Sequence, residues 1–479
     1  MFPKQLWFND KQNYMTNQQY DFGLVGLGVM GRNFILNVTD HGFSAFGLDT
    51  SQDMVDRMKE EGAGKEIGGT TDVAEFTAKL TSPRKIMLLV PAGKVVDIVI
   101  SNLLPHLDEG DIIIDGGNSY FPNTDRRFAE LSEKGIHFFG SGVSGGAKGA
   151  RFGPSIMPGG NKEAYEHIRP IFEAVAAKKD GEPCVAHLGN GSAGNYVKMV
   201  HNGIEYGLMQ LISESYDLMK RGMGMSNEAL KDAFDSWNKG RLRSFLVEIT
   251  ADILTKKDDL TDGDLVDAIL DKGSQKGTGK WTSQNAMDLG IPIPSIDTAV
   301  SMREISGLKA LRVEAEALYP RESSGHSELT ADEVEQALYF SYIMAYAQGM
   351  QQMAEASEEY GYELHLETIA KIWRNGCIIR ARLLEDMRQA YDRNPNLKNL
   401  LLDAHFAEII KPLIPVVAKV VSFGVRNGIP VAGMSAGLNY FNAFRTGRLP
   451  MNLVQAQRDH FGSHTYQRLD REGTFHTEW

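Results

Sequence analysis

Cysteine is scarce in this chain: Cys184 and Cys377 are the only two among 479 residues. Their spacing fits neither a metal motif nor a pairing pattern, so both are expected to be buried or inert thiols in a reducing compartment, a disulfide being the alternative. A run of eighteen apolar residues is missing, which excludes a membrane-spanning helix. Positive charge is not in excess: 50 Lys and Arg face 62 Asp and Glu, a net charge of −12. That balance argues against a nucleic-acid surface and for a soluble cytoplasmic protein. Biased tracts are absent as well. The first residues, MFPKQLWFNDKQNY, lack the apolar core of a signal peptide. Met15 opens MTNQQYDFGLVGLG, so the native start is expected at Met1 or Met15, with the residues before Met15 dispensable in the second case and 1–17 read as an N-terminal extension.

What is present is too long for one core, and two or three domains are expected. Up to about residue 190, short apolar runs such as FGLV, KIMLLV and DIIID alternate with helical segments such as TDRRFAELSEKG. Alternation of that kind predicts a parallel, doubly wound α/β sheet over 18–191. From Ala193 the pattern turns to long helical periodicities. They predict an all-helical domain over 192–449, followed by a polar and aromatic tail, 450–479, that needs another surface to pack on. Two helical stretches resemble each other: Trp237 to Gly240 recurs as Trp373 to Gly376, and the Tyr206 region as the Tyr346 region. A duplicated unit follows. Lys198, His201, Asn202 and Glu205 have no counterparts upstream of Tyr346, so the second copy is expected to be scaffold only.

Gly26-Leu27-Gly28-Val29-Met30-Gly31 follows a strand and opens a helix. In that context G-x-G-x-x-G gives a tight turn, close approach of a pyrophosphate, and a helix N-terminus for its charge. Asp49 ends the second strand, eighteen residues after Gly31. A carboxylate there accepts from the adenosine ribose hydroxyls and repels a 2′-phosphate. Thr50 and Ser51 follow, without an arginine to hold that phosphate, so NAD is expected over the alternative, NADP. Asp49 can also cap the next helix. Two more loops close strands: Asp115-Gly116-Gly117-Asn118, and GSGVSGGAKG with Ser144, Gly145 and Gly146. Both lie where an open α/β sheet binds ligands, and each can equally be a tight turn.

The stretch from Lys198 to Tyr206 carries a cation, an anion and three neutral hydrogen-bonding groups. At about 100° per residue, Lys198 and Glu205 nearly eclipse. His201 and Asn202 share that face, and Tyr206 sits at its edge. The alternative is a solvated face with one charge pair.

GLGVMG, IIIDGGNS, GSGVSGGAKGAR, GPSIMPGG, VKMVHNGIEYG, QKGTGKWT and AQRDHFGSHTY occur in this order. Together they resemble the decarboxylating 6-phosphogluconate dehydrogenase family in its long form, from about residue 20 to the C-terminus. The resemblance implies a Rossmann-like domain, a duplicated helical domain, and a tail that threads into the partner of a homodimer. It implies metal-free oxidation of 6-phosphogluconate to ribulose 5-phosphate and carbon dioxide. Lys198 matches the general base and Glu205 the acid. Gly26, Gly28, Val29, Met30, Gly31, Asp49, Thr50, Val90 and Asn118 match cofactor contacts, and Asn118 also faces substrate. Ser144, Gly145 and Gly146 match the loop around the substrate carboxylate and the nicotinamide, while His201 and Asn202 match residues that hold its hydroxyls. Tyr206, Lys276, Thr278 and Arg303 match phosphate and sugar contacts, and Arg458 and His464 match tail residues reaching the partner's site. Two departures stand out. Asp49-Thr50-Ser51 replaces the Asn-Arg-Thr usual in NADP-using members, and Pro91 stands where many members have lysine. The nearest alternative is another β-hydroxyacid dehydrogenase with a smaller, unphosphorylated substrate. A non-catalytic nicotinamide-binding protein is a third reading.

Overall fold

The computed structural model describes residues 19–320 and 328–479. The extension 1–17, with both candidate starts, lies outside them. Seven strands form one sheet: β1 Phe22–Val25, β2 Ala45–Leu48, β3 Ile67–Thr70, β4 Lys85–Leu88, β5 Ile112–Asp115, β6 His137–Ser144 and β7 Ser155–Gly159. Their order is β3-β2-β1-β4-β5-β6-β7. Every residue of β1, β2 and β5 is buried, as expected of strands covered by helices on both faces. Phe34, Ile35 and Phe172 fill one side of the sheet, and Phe76, Leu103 and Leu131 the other. The chain runs outward from β1 to β3 and restarts at β4 on the other side of β1. The crevice beyond the carboxyl ends of β1 and β4 is therefore the topological switch point, where such sheets bind ligands.

Two features depart from the alternation. β3 reads IGGT, and its glycines erase the usual strand signal; side chains there would strike Phe46 and Met58. β7 pairs antiparallel with β6, Gly140 opposite Gly159. Residues 145–154 hold only a seven-residue helix, Gly146–Phe152, too short for a parallel crossover.

A two-stranded hairpin, Lys178–Lys179 with Glu182–Pro183, closes this domain, and from Ala193 the described chain is mainly helical, built on two long helices, Ala193–Asp217 and Ala331–Glu359, packed along each other. A capping box, Thr330 with Glu333, starts the second. The duplication has a visible seam. After Gly240 and Gly376 the two copies meet at Ser244 and Ala381 in an antiparallel bridge. Phe245 N donates to Arg380 O at 3.0 Å, and Arg382 N to Arg243 O at 2.8 Å, a local two-fold between related segments. The tail is less irregular than its sequence indicates, because Met451–Gly462 forms a helix. Among the described residues no helix is long and apolar enough to cross a membrane.

Glu214 ties the first long helix to the start of the helix Ala432–Phe444. Its carboxylate accepts from Gly433 N at 2.6 Å and Met434 N at 2.9 Å. Burial pushes this carboxyl up to about 7, against the pull of Gln210 and those two N–H groups. A carboxyl that holds its proton more tightly when folded stabilises the fold fully below its unfolded value of about 4.5 and loses that contribution as pH rises through about 7. The loss amounts to about 3 kcal/mol. Urea midpoints between pH 5 and 8 are expected to fall less steeply with pH in Glu214→Gln than in the unchanged protein. Equal slopes would contradict this assignment.

Candidate functional site

The glycine turn sits at the switch point. Gly26 has φ +95°, and a Cβ on Gly31 would lie 1.8 Å from Gly26 O, so neither position takes a side chain. A Cβ on Gly28 would meet nothing within 4 Å, which leaves open space over the loop. Gly28 starts the helix Val29–Asp40, which has no side-chain cap and no acid in its first turn. Among the described residues no side chain caps its first N–H groups, so these residues fit the phosphates of a dinucleotide. Val29 is exposed on this loop and Met30 half-buried. Val90, beyond β4, packs beside Gly26 across the crevice. Asp49 Oδ2 accepts from Leu27 N at 2.7 Å, and Oδ1 from Ser51 N at 2.9 Å. The carboxylate thus braces the glycine turn and the next helix, and each oxygen keeps a lone pair for a ribose hydroxyl. Thr50 is exposed beside it. The nearby cations Arg32 and Arg57 both pair with Glu61, at 2.9 and 3.0 Å.

The long helix Ala193–Asp217 reaches the sheet through small residues. A Cβ on Gly142 of β6 would lie 2.3 Å from Lys198 Cβ. That closeness brings the Lys198 face over the end of β6. Lys198 Nζ donates to Asn202 Oδ1 at 2.7 Å and lies 3.2 Å from His201 Nδ1. His201 Nε2 is 3.3 Å from Ser144 Oγ. His201 Nδ1 also lies 3.1 Å from Asn202 Oδ1, and the tautomer that accepts from Lys198 at Nδ1 is the one whose Nε2 donates to Ser144. Asn202 Nδ2 donates to Thr278 Oγ1 at 3.2 Å. Glu205 Oε2 lies 3.8 Å from His201 Nδ1. Gly145, at φ +114°, and Gly146, at φ +63°, shape the neighbouring turn. Asn118 is exposed on a loop that Asp115 holds through Gly117 N and Ser119 Oγ, and Asn195 Nδ2 ties this loop to the long helix through Gly117 O at 3.2 Å.

Burial dominates the electrostatics of this face. It draws Lys198 below the ordinary lysine range, against the opposing charge of Glu205 and the Cys377 thiol. It pushes Glu205 up, against Lys198 and Arg303. His201 is held well below its usual value by burial and then by Lys198, so the imidazole is neutral. One base and one acid with opposite shifts therefore share a helix face, as proton transfer in both directions requires.

A cationic end adjoins Glu205. The Arg303 guanidinium stacks 3.6 Å from the centre of the Tyr206 ring and donates to Ser274 O at 2.9 Å. Thr278 is buried at the start of the helix Thr278–Asp288, and Lys276 is exposed on the loop before it.

Family profiles match nearly the whole described chain. The NAD-binding domain of 6-phosphogluconate dehydrogenase covers residues 21–189, and the C-terminal domain of the same enzyme covers 194–479. The chain belongs to the 6-phosphogluconate dehydrogenase family. A Bacillus subtilis relative, named as the NADP(+)-dependent, decarboxylating 6-phosphogluconate dehydrogenase, is 52% identical over 97% of this chain and 100% of its own. An Escherichia coli relative, named 6-phosphogluconate dehydrogenase, decarboxylating, is 49% identical over 97% and 100%. The Plasmodium falciparum 6-phosphogluconate dehydrogenase, solved in apo form and with NADP+ or 6-phosphogluconate, superposes with a TM-score of 0.94 at 45% identity, covering 96% of this chain and 100% of that one.

Within this family framework the second helical copy supports the site as scaffold, and the structure shows where that support is applied. Trp373 is fully buried, meets the His201 ring edge-on with centroids 5.4 Å apart, and donates through Nε1 to Met157 Sδ of β7. Gly376 O accepts from Ser155 N at 2.9 Å, and Ile378 N donates to Ser144 Oγ at 3.4 Å. The turn after Trp373 thus buttresses both His201 and the Ser144 loop. The recurrent Trp-x-x-Gly spacing marked this turn, but only its partner surface reveals the role. Arg458 and His464 are not brought to this cluster. Both are exposed on the tail, and among the described residues the side-chain hydrogen bonds of 451–479 stay within that segment.

Proposed function

We propose that the protein oxidises and decarboxylates 6-phosphogluconate to ribulose 5-phosphate and carbon dioxide, with NAD preferred over NADP as hydride acceptor. The observation that carries this is the buried Lys198, shifted toward neutrality, beside Glu205, shifted toward its acid form. Lys198 in its amine form takes the proton of the 3-hydroxyl. When bound, the nicotinamide accepts the hydride from carbon 3. The Lys198 ammonium then donates to the new carbonyl and draws electron density as the carboxylate leaves. Glu205 delivers a proton to carbon 1 of the remaining enediol while the carbon 2 hydroxyl gives its proton to the Lys198 amine, which leaves the ketose. Ser144, Gly145 and Gly146 orient the substrate carboxylate, and His201, Asn202 and Asn118 its hydroxyls. Tyr206, Lys276, Thr278 and Arg303 hold the phosphate end, with Arg458 and His464 supplied by the partner of a homodimer. No metal takes part.

The Arg303–Tyr206 platform and the full-length match favour this substrate over a small unphosphorylated 3-hydroxy acid. Initial rates with 6-phosphogluconate are expected to exceed those with gluconate by about a thousandfold in kcat/KM, since a doubly charged phosphate forms several charge-assisted hydrogen bonds. Comparable rates with gluconate would favour the smaller-substrate reading.

The NAD preference rests on this chain's own residues. Asp49 follows β2 with a carboxylate, which in a dinucleotide fold accepts from the adenosine ribose and repels a 2′-phosphate, and Arg32 and Arg57 are both engaged by Glu61. Asp49→Asn with Thr50→Arg is expected to shift the NADP-to-NAD ratio of kcat/KM at least about tenfold toward NADP, by removing a repulsion and adding an arginine clamp. An unchanged ratio contradicts the argument, as does an NADP preference in the unmodified protein.

A further inference from the structure

Residues 451–479 fold around one carboxylate. The helix Met451–Gly462 ends at Ser463, which has φ +50°, and Thr465 has φ +59°. Non-glycine residues rarely hold that conformation unless the surroundings impose it. The chain then reverses, and Tyr466 and Phe475 exchange two backbone hydrogen bonds, at 2.8 and 2.9 Å. Asp459 is fully buried beneath the reversal. Its Oδ1 accepts from Thr465 N at 2.8 Å and lies 2.9 Å from His476 Nδ1. Its Oδ2 accepts from Thr477 N at 3.0 Å and Trp479 Nε1 at 3.1 Å. All four partners come from beyond the helix, so one side chain closes the whole segment on itself.

Arg458 and His464 flank this knot. Arg458 precedes Asp459 on the helix, and His464 sits between the two left-handed residues, next to the Thr465 N–H that Asp459 holds. Both side chains are exposed, and among the described residues the side chain of Arg458 bonds only to Gln455, at 3.1 Å.

We propose that Asp459 is a positioning residue that preforms the tail, fixing Arg458 and His464 in one geometry before the tail engages the partner subunit. Preorganisation lowers the ordering cost of binding the substrate phosphate and leaves the chemical step untouched. The inference rests on the reading that Arg458 and His464 serve the partner's site. Burial opposes the charge on Asp459, but His476, Thr477, Trp479 and Thr465 outweigh it and hold the carboxyl at about 2, so it stays ionised at any working pH.

Asp459→Asn tests this, because an amide facing four donors turns its own NH2 toward two of them whichever way it flips. The expected result is a rise of about tenfold or more in KM for 6-phosphogluconate, with kcat and the cofactor KM within about twofold and the assembly state by sedimentation unchanged. Removing His476–Trp479 takes away three of the four donors and should give a similar rise, and Asp459→Asn in that truncated chain should add nothing further. Arg458→Ala separates the two layers of the argument. An unchanged KM in Arg458→Ala overturns the tail reading and the inference with it. A raised KM there with a normal KM in Asp459→Asn overturns the positioning role alone. Dissociation of Asp459→Asn, or a fall in kcat at constant KM, also overturns it.

Discussion

Lys198→Met is expected to lower kcat about 10⁴-fold, the upper end of what one positioned acid–base group contributes, because the same nitrogen acts in two successive steps. The fold should tolerate the change. Methionine preserves the stem that packs on Gly142, and it removes a buried amine whose charged form burial already disfavours. The bonds lost are those to Asn202 Oδ1 and His201 Nδ1. Affinity for the nicotinamide cofactor, by fluorescence titration, should stay within about twofold, since the glycine turn takes no support from Lys198. Near-normal turnover would remove Lys198 from the mechanism. Loss of cofactor binding along with turnover would make it structural.

Glu205→Gln probes the last step separately. The amide keeps the size and half-buried position of the carboxyl but cannot deliver its proton. Steady-state turnover should fall about 10²–10³-fold. The earlier steps precede any need for Glu205, so a rapid-mixing experiment should show a burst of reduced cofactor and carbon dioxide equal to the enzyme sites, followed by slow turnover. Without a burst, and with hydride transfer itself slowed, Glu205 would belong to the first step. The two variants together divide the reaction at the point where carbon dioxide leaves.

The grouping of the candidate site residues was more legible in the sequence than the architecture around them. Helical periodicity alone gathered Lys198, His201, Asn202 and Glu205 on one face, because residues three, four and seven apart align on any helix. The glycine turn and Asp49 were readable because the strand–turn–helix fingerprint fixes their spacing. β3 was hidden by Gly68 and Gly69, which pack where side chains would collide. The reversed direction of β7 follows from the short link before it, a geometric constraint rather than a residue preference. Trp373 escaped because its contact with His201 spans 172 positions of chain, and no local pattern encodes such a meeting. The same holds for Asp459, which reads as one more acid on a polar helix until the chain end returns to cover it.

The most direct measurement follows reduced nicotinamide and carbon dioxide together while the enzyme, free of added metal and in the presence of chelator, consumes 6-phosphogluconate with NAD. Equimolar NADH and carbon dioxide, with ribulose 5-phosphate as the sugar product, is the predicted result. NADH formed without carbon dioxide, or turnover confined to unphosphorylated hydroxy acids, would contradict the assignment of Lys198 and Glu205 as the base and acid of an oxidative decarboxylation.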